Sequence, residues 1–217
     1  MRGITIILND DRIHTGDDLD LVQEKKEIGK PTPQSFTVQV PGRNGLLNLT
    51  KGLTGKVTYD NRPLSFQYFG TGDRDRLLYL DAIMSQYHGE TIQIIDDDYP
   101  GHYYEGEATV ETKFSESGNY ITITLTVDAQ PFRLKLAPTV YSRSVSGNAR
   151  IRLYNESVPA IPEITLSASM TVERGSVGYT LEPGTYSIED FELQRGNNDF
   201  LVSGEGIITF TYQEGAI

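Results

Sequence analysis

The stretch Tyr120-Ile-Thr-Ile-Thr-Leu-Thr-Val127 decides the fold class. Successive side chains of a strand point to opposite faces, so Ile121, Ile123, Leu125 and Val127 share one face and Thr122, Thr124 and Thr126 the other. The expectation is a half-buried strand with its threonines toward water. Phe36–Val40, Leu64–Phe69, Ile92–Ile95 and Ile207–Tyr212 repeat the same period, each bounded by Gly, Pro, Asn or Asp. Thirteen tyrosines and 21 glycines among 217 residues, with no tryptophan, fit an all-β chain, because aromatic and β-branched side chains suit a pleated, half-buried surface.

One segment departs from this period. In Asp73–His88, Leu77, Leu80, Met84 and Tyr87 follow at spacings of three, four and three, which predicts one amphipathic helix over about 73–88. Asp73 is placed to cap its first turn and Gly89 to end it in a left-handed turn. The prolines of Asp128-Ala-Gln-Pro-Phe-Arg-Leu-Lys-Leu-Ala-Pro-Thr139 interrupt ladder pairing, so a domain boundary is expected there, giving units 1–133 and 134–217. The second unit reads as another string of short strands, with breaks at Asn155-Glu-Ser157, Glu182-Pro-Gly184, Arg195-Gly-Asn-Asn198 and Ser203-Gly-Glu-Gly206, and so as a second β-sandwich. Gly16–Ser35 is polar and reads as a loop or projecting arm around a short strand at Leu19–Val22.

Composition excludes several functions. With no cysteine there is no disulfide, thiolate ligand or cysteine nucleophile, and His14, His88 and His102 are too scattered for a zinc site. A net charge of −11 without a basic cluster argues against a binder of nucleic-acid phosphates. No apolar run approaches the roughly 20 residues of a membrane helix, and that of the N-terminus is too short for a signal-peptide core; an unprocessed protein made in the cytoplasm is expected. Asp96, Asp97 and Asp98 are hard-cation ligands by type, but consecutive strand residues diverge and no calcium-loop spacing follows. Set between Ile92–Ile95 and Tyr103–Tyr104 with Pro100-Gly101 inside, they read as a hairpin turn. Gly42-Arg-Asn-Gly45 and Gly52-Leu-Thr-Gly55 lack the following GK[ST] of a phosphate loop and read as tight turns. Neither His88 nor His102 belongs to a nucleophile motif. The residues thus indicate no catalytic site, no cofactor site and no metal site.

Five segments in order carry a resemblance: Val40–Thr50 (VPGRNGLLNLT), Val57–Phe66 (VTYDNRPLSF), His88-Gly89 leading into Ile94–Pro100 (IIDDDYP), Tyr103–Gly106 (YYEG) and Ala129–Phe132 (AQPF). They resemble the distal tail proteins (Dit, phage tail component family) of long-tailed phages and prophages of Gram-positive bacteria, and Gly204–Gly215 resembles the closing strand of that family. Asn44 stands where the family usually has Asp and Phe132 where Tyr is commoner, and residues 1–35 match the usual opening poorly. The resemblance implies a ring-forming N-terminal β-sandwich with one helix, residues 1–133, and a galectin-like C-terminal sandwich, residues 134–217. It implies a structural virion component, not an enzyme: a hexameric hub at the distal end of the tail, joining the tail tube protein to the tail-tip or baseplate proteins, including the tail-associated fibre or lysin and a receptor-binding protein. The alternative is a carbohydrate-binding module contacting host cell-wall glycans through Tyr141, Tyr154, Tyr179 or Tyr186. A glycoside hydrolase would need two carboxylates about 5 to 9 Å apart across a scissile bond, a spacing that no sequence tests.

Overall fold

The structure, a computed structural model, describes residues 2–42, 44–50 and 57–217. Arg43 and the Gly52-Leu-Thr-Gly55 turn expected from sequence lie outside the described residues. The chain is mainly β and forms two compact units, Met1–Arg133 and Leu134–Ile217, each a β-sandwich.

The first unit contains β1 (Ile4–Leu8), β2 (Asp11–His14), β3 (Val22–Ile28), β4 (Thr37–Val38), β5 (Leu47–Asn48), β6 (Arg62–Thr71), α1 (Arg74–Ser85), β7 (Thr91–Asp96), β8 (His102–Phe114) and β9 (Tyr120–Ala129). Seven strands follow the order β2-β1-β7-β8-β9-β6-β3, each pair antiparallel, while β4 and β5 form a separate ribbon. On β9 the residues Ile121, Ile123, Leu125 and Val127 are buried. Their β6 neighbours Leu64, Phe66 and Tyr68 continue the same face.

β3 and β7 stand four places apart in the strand order, about 19 Å across a flat sheet. Yet Lys26 Nζ on β3 lies 2.9 Å from each carboxylate oxygen of Asp96 on β7. The sheet has therefore rolled over its apolar face into two layers, and residues of β1, β6, β7, β9 and α1 close one core.

Asp73 caps α1, its carboxylate accepting from the Arg76 amide at 2.9 Å, and Leu77, Leu80 and Met84 face the core. The sequence period continues to His88, but the helix ends at Ser85. The amides of Gln86, Tyr87 and His88 bond three residues back, a tighter winding that carries the chain to Gly89 at φ +82°. A second difference lies at 16–35. The expected strand Leu19–Val22 is a turn whose Leu19 and Leu21 are buried, and the strand runs Val22–Ile28 as an edge against β6. Its VQEKKEI sequence has no alternation because an edge beside water does not demand one.

β10 (Arg133–Lys135) runs through the boundary, and the second unit contains β11 (Thr139–Asn155), β12 (Glu163–Leu166), β13 (Met170–Arg174), β14 (Val177–Leu181), β15 (Gly184–Ser187), β16 (Gly196–Tyr212) and β17 (Gly215–Ala216). β11 and β16 pair over all 17 residues of each without a register shift. The sequence of Ser203-Gly-Glu-Gly206 predicts a break; instead β16 passes through it and bends, with Gly204 at φ +142° and Gly206 at φ +152°. The bend is sharp. Phe200 and Phe210, ten residues apart, would be separated by about 33 Å along a straight strand, but their ring centroids are 5.1 Å apart. β13 pairs with the first half of β16 and β12 with the second, while Ser167 crosses at the bend, donating to Ile207 O at 3.0 Å and accepting from Ile207 N at 2.7 Å. One pair of long strands folded in half thus forms both layers of the sandwich.

Candidate functional site

The three carboxylates at 96–98 lie where β7 turns toward β8. Asp96 is 1% exposed and binds the Lys26 ammonium through both oxygens, while the Asp98 amide donates to Asp96 Oδ1 at 3.2 Å. Asp97 points elsewhere: it accepts from the Gly3 amide at 2.8 Å and lies 3.3 Å from His14 Nε2. Asp98 also bonds Lys26 and lies 3.9 Å from Arg2 Nε. Burial works against the charge on Lys26, but the hydrogen bonds it donates to Asp96 and Asp98 outweigh it and hold its pKa above the ordinary value. The hydrogen bond from Lys26 pulls the Asp98 pKa down. An ammonium thus sits where a cation ligated by these oxygens would have to sit, and among the described residues no three metal-ligating side chains converge. The cluster is a clasp between layers.

The other two histidines sit beside backbone groups. His88 Nδ1 accepts from the Val110 amide at 3.2 Å, fastening the end of α1 to β8, and the His102 amide closes the turn onto Tyr99 O at 3.1 Å. In the second unit Glu214, 5% exposed, accepts from Lys135 Nζ at 2.9 Å, Thr139 Oγ1 at 2.5 Å and the Glu156 amide at 3.0 Å. Burial opposes its charge, but these donors prevail and its pKa is lowered. Of the four tyrosines considered for sugar binding, Tyr141 and Tyr186 pack against the core and Tyr154 and Tyr179 are exposed. Tyr179 donates to Asp190 at 2.5 Å and stands edge-on to Phe191. Tyr154 is left as the more open ring, 59% exposed.

What stands out on the first unit is apolar surface. The alternation Phe36-Thr-Val-Gln-Val40, expected to be half-buried, belongs to the β4–β5 ribbon and lies in solvent: Phe36, Val38 and Val40 share one parity and are exposed, as is Leu46. Phe36 is 63% exposed and Leu46 62%. Within the ribbon the Leu49 amide donates to Phe36 O at 2.8 Å and the Phe36 amide to Thr50 Oγ1 at 2.7 Å. A two-stranded ribbon is marginal in water on its own, and an apolar stripe on one calls for a cover. A shallow cleft of about 340 Å³, lined by Leu77, Leu78 and Phe114 beside Arg74 and Glu116, lies between α1 and the β8–β9 turn. No described helix is long and apolar enough to cross a membrane.

No protein-family model matches the chain, and no curated protein matches it. Among solved structures, the crystal structure of the SPP1 Dit (gp 19.1) protein is similar over 99% of this chain and 99% of that one, with a TM-score of 0.64 at 16% identity. That protein is described as a paradigm of the hub adsorption apparatus in phages infecting Gram-positive bacteria. The likeness shows a shared fold.

Proposed function

We propose that this chain is a structural protein of a phage tail, a distal tail hub in which residues 1–133 of six copies close a ring and the galectin-like unit 134–217 faces outward. The hub joins the tail tube protein to the tail-tip or baseplate proteins, including a tail-associated fibre or lysin and a receptor-binding protein, and works in the virion without catalysis. The observation that carries this reading is the solvent-facing stripe Phe36, Val38, Val40 and Leu46 on a ribbon of two short strands. A neighbouring copy would cover it. The likeness in fold to the SPP1 hub protein over nearly the whole chain supports this choice of assembly.

Sedimentation tests it directly. The native chain, alone or on a tail template, is expected at six times the mass of one chain, and the double variant Phe36→Asp, Leu46→Asp at the mass of one. Both positions are exposed, so the variant should keep its fold, within about 0.5 kcal/mol. An unchanged hexamer in the variant overturns the assignment of the ribbon, and a native chain that remains single on the template overturns the hub. Assembly should also respond to salt. A ring multiplies the −11 of each chain, and screening over about 10 Å at 0.1 M weakens that repulsion; raising ionic strength toward this value is expected to favour the ring, and the opposite trend would count against it.

Exposed Tyr154 favours a second reading, a module that binds cell-wall glycans. Glycan-array binding that disappears in Tyr154→Ala while oligomerisation persists would select it.

A further inference from the structure

We infer that the free edge of β11, over Val140–Ser146, is a docking site for an extended acidic segment of another protein, added as a further strand. Among the described strands β11 pairs only with β16, so its opposite edge is open along the sandwich. Which groups face outward follows from the bend. The Ile207 amide and carbonyl are both engaged by Ser167, on the side of β16 away from β11. Its partner across the ladder, Ser144, therefore directs its own amide and carbonyl outward, and with no register shift so do the other even-numbered residues of β11. Arg150 fits this parity: its carbonyl accepts from the side chain of Arg143 at 2.8 Å.

Natural sheet edges are kept short, bulged or charged against unwanted pairing. The other edges here follow that practice. β2, β14 and β15 have four, five and four residues, and β3 carries a bulge between Gln23 and Lys25 with Lys25 and Lys26 on it. β11 has 17 residues, no proline and no bulge. Its far half is partly closed, since Arg143 occupies the Arg150 carbonyl and the Tyr212 hydroxyl the Tyr154 carbonyl at 2.6 Å. Along Val140–Ser146 the outward side chains are Val140, Ser142, Ser144 and Ser146, small and uncharged.

Charge identifies the occupant. β11 holds Arg143, Arg150 and Arg152 and no carboxylate, within a chain of net −11. Arg152 is matched by Asp199 at 2.8 Å, and Arg150 also acts on that carboxylate, whereas Arg143 lies within the open stretch and bonds the Arg150 carbonyl. A second copy of β11 would bring arginine toward arginine, which is destabilising in a ladder, so the added strand is one with Glu or Asp at alternate positions. Main-chain bonds would supply affinity and the acidic side chains specificity, with Arg143 turning from the Arg150 carbonyl to a carboxylate. The site lies in the second unit and does not depend on the ribbon of the first.

The probe is the synthetic peptide acetyl-Thr-Glu-Val-Glu-Val-Glu-Thr-amide, mixed with the full chain and with its Phe36→Asp, Leu46→Asp variant, so that loss of the ring and loss of this site are read separately. In the free protein the amides of Ser142, Ser144 and Ser146 should exchange with deuterium faster than those of Arg143 and Val145, and the peptide should slow them. Replacing Ser144 with Pro removes an outward amide that pairs with no described strand, so the fold should persist while affinity drops by about tenfold or more. Arg143→Glu should weaken the acidic peptide and admit its lysine counterpart. Even-numbered amides already protected in the free chain, equal binding of acidic and basic peptides, or chains pairing with each other along this edge would each overturn the inference.

Discussion

Replacing Lys26 with Met is expected to destabilise the first unit by about 3 to 5 kcal/mol, measured as a shift of the denaturant midpoint. Met retains most of the volume but leaves Asp96, 1% exposed, without the ammonium that both of its oxygens bind. Breaking one side of a buried ion pair strands a charge, and that cost exceeds the net worth of the pair. For the same reason Lys26→Met combined with Asp96→Leu should recover much of the loss, because removing both partners leaves no buried charge. The pH dependence has a definite sign. Lys26 has a folded pKa raised above the 10.5 of an ordinary lysine, so its contribution is complete below that value and is lost as pH rises through the raised one. The native chain should therefore lose stability at alkaline pH more steeply than Lys26→Met. A shift below about 1 kcal/mol in Lys26→Met, the range of exposed pairs, would mean that the clasp does not hold the two layers together.

This contact also marks what the sequence could and could not convey. The inward face of β9, the capped start of α1 and the turn after β7 depend on residues within a few positions of one another, where periodicity and turn chemistry act. Tyr120–Val127 is legible for that reason. The clasp joins residues 70 apart in the chain, and nothing near Lys26 announces it: VQEKKEI looks like a polar loop because half of an edge strand's surroundings is water. Phe36–Val40 shows the complementary limit. Its alternation is real, but a period of two states only that one face wants burial, not whether this chain or another supplies the cover. Ser203–Gly206 reads as a break because glycine pairs usually end strands. Here Gly204 and Gly206 permit a long strand to fold onto itself, and the distinguishing fact, the meeting of Phe200 and Phe210, is again non-local.

That fold-back yields the second large effect: Gly206→Val should cost about 4 kcal/mol and unfold the second unit first. Two terms act together. At φ +152° a side chain is strained whatever the space, and a Cβ there would lie 2.7 Å from Met170 Cε, 2.8 Å from Ser167 Oγ and 3.0 Å from Ala168 Cβ. Met170 is flexible enough to retreat. Ser167 is less so, because its hydroxyl and amide hold both backbone groups of Ile207 and guide β12 into β13 across the bend. Hydrogen exchange would locate the damage: amides around Phe210 should lose protection at lower denaturant than in the native chain, while Ile123 and Leu125 in the separate core of the first unit keep theirs. Gly101→Val is the control, since an added Cβ in the β7–β8 turn meets nothing within 4 Å and the change should stay within about 0.5 kcal/mol. The same bend brings the two halves of β11 close enough for Arg143 to reach the Arg150 carbonyl. A chain unable to fold at Gly206 should therefore also lose the acidic-peptide site. Equal midpoints for Gly206→Val and Gly101→Val would show that β16 does not need glycine to turn, and the account of the second sandwich as one pair of strands folded in half would fail with it.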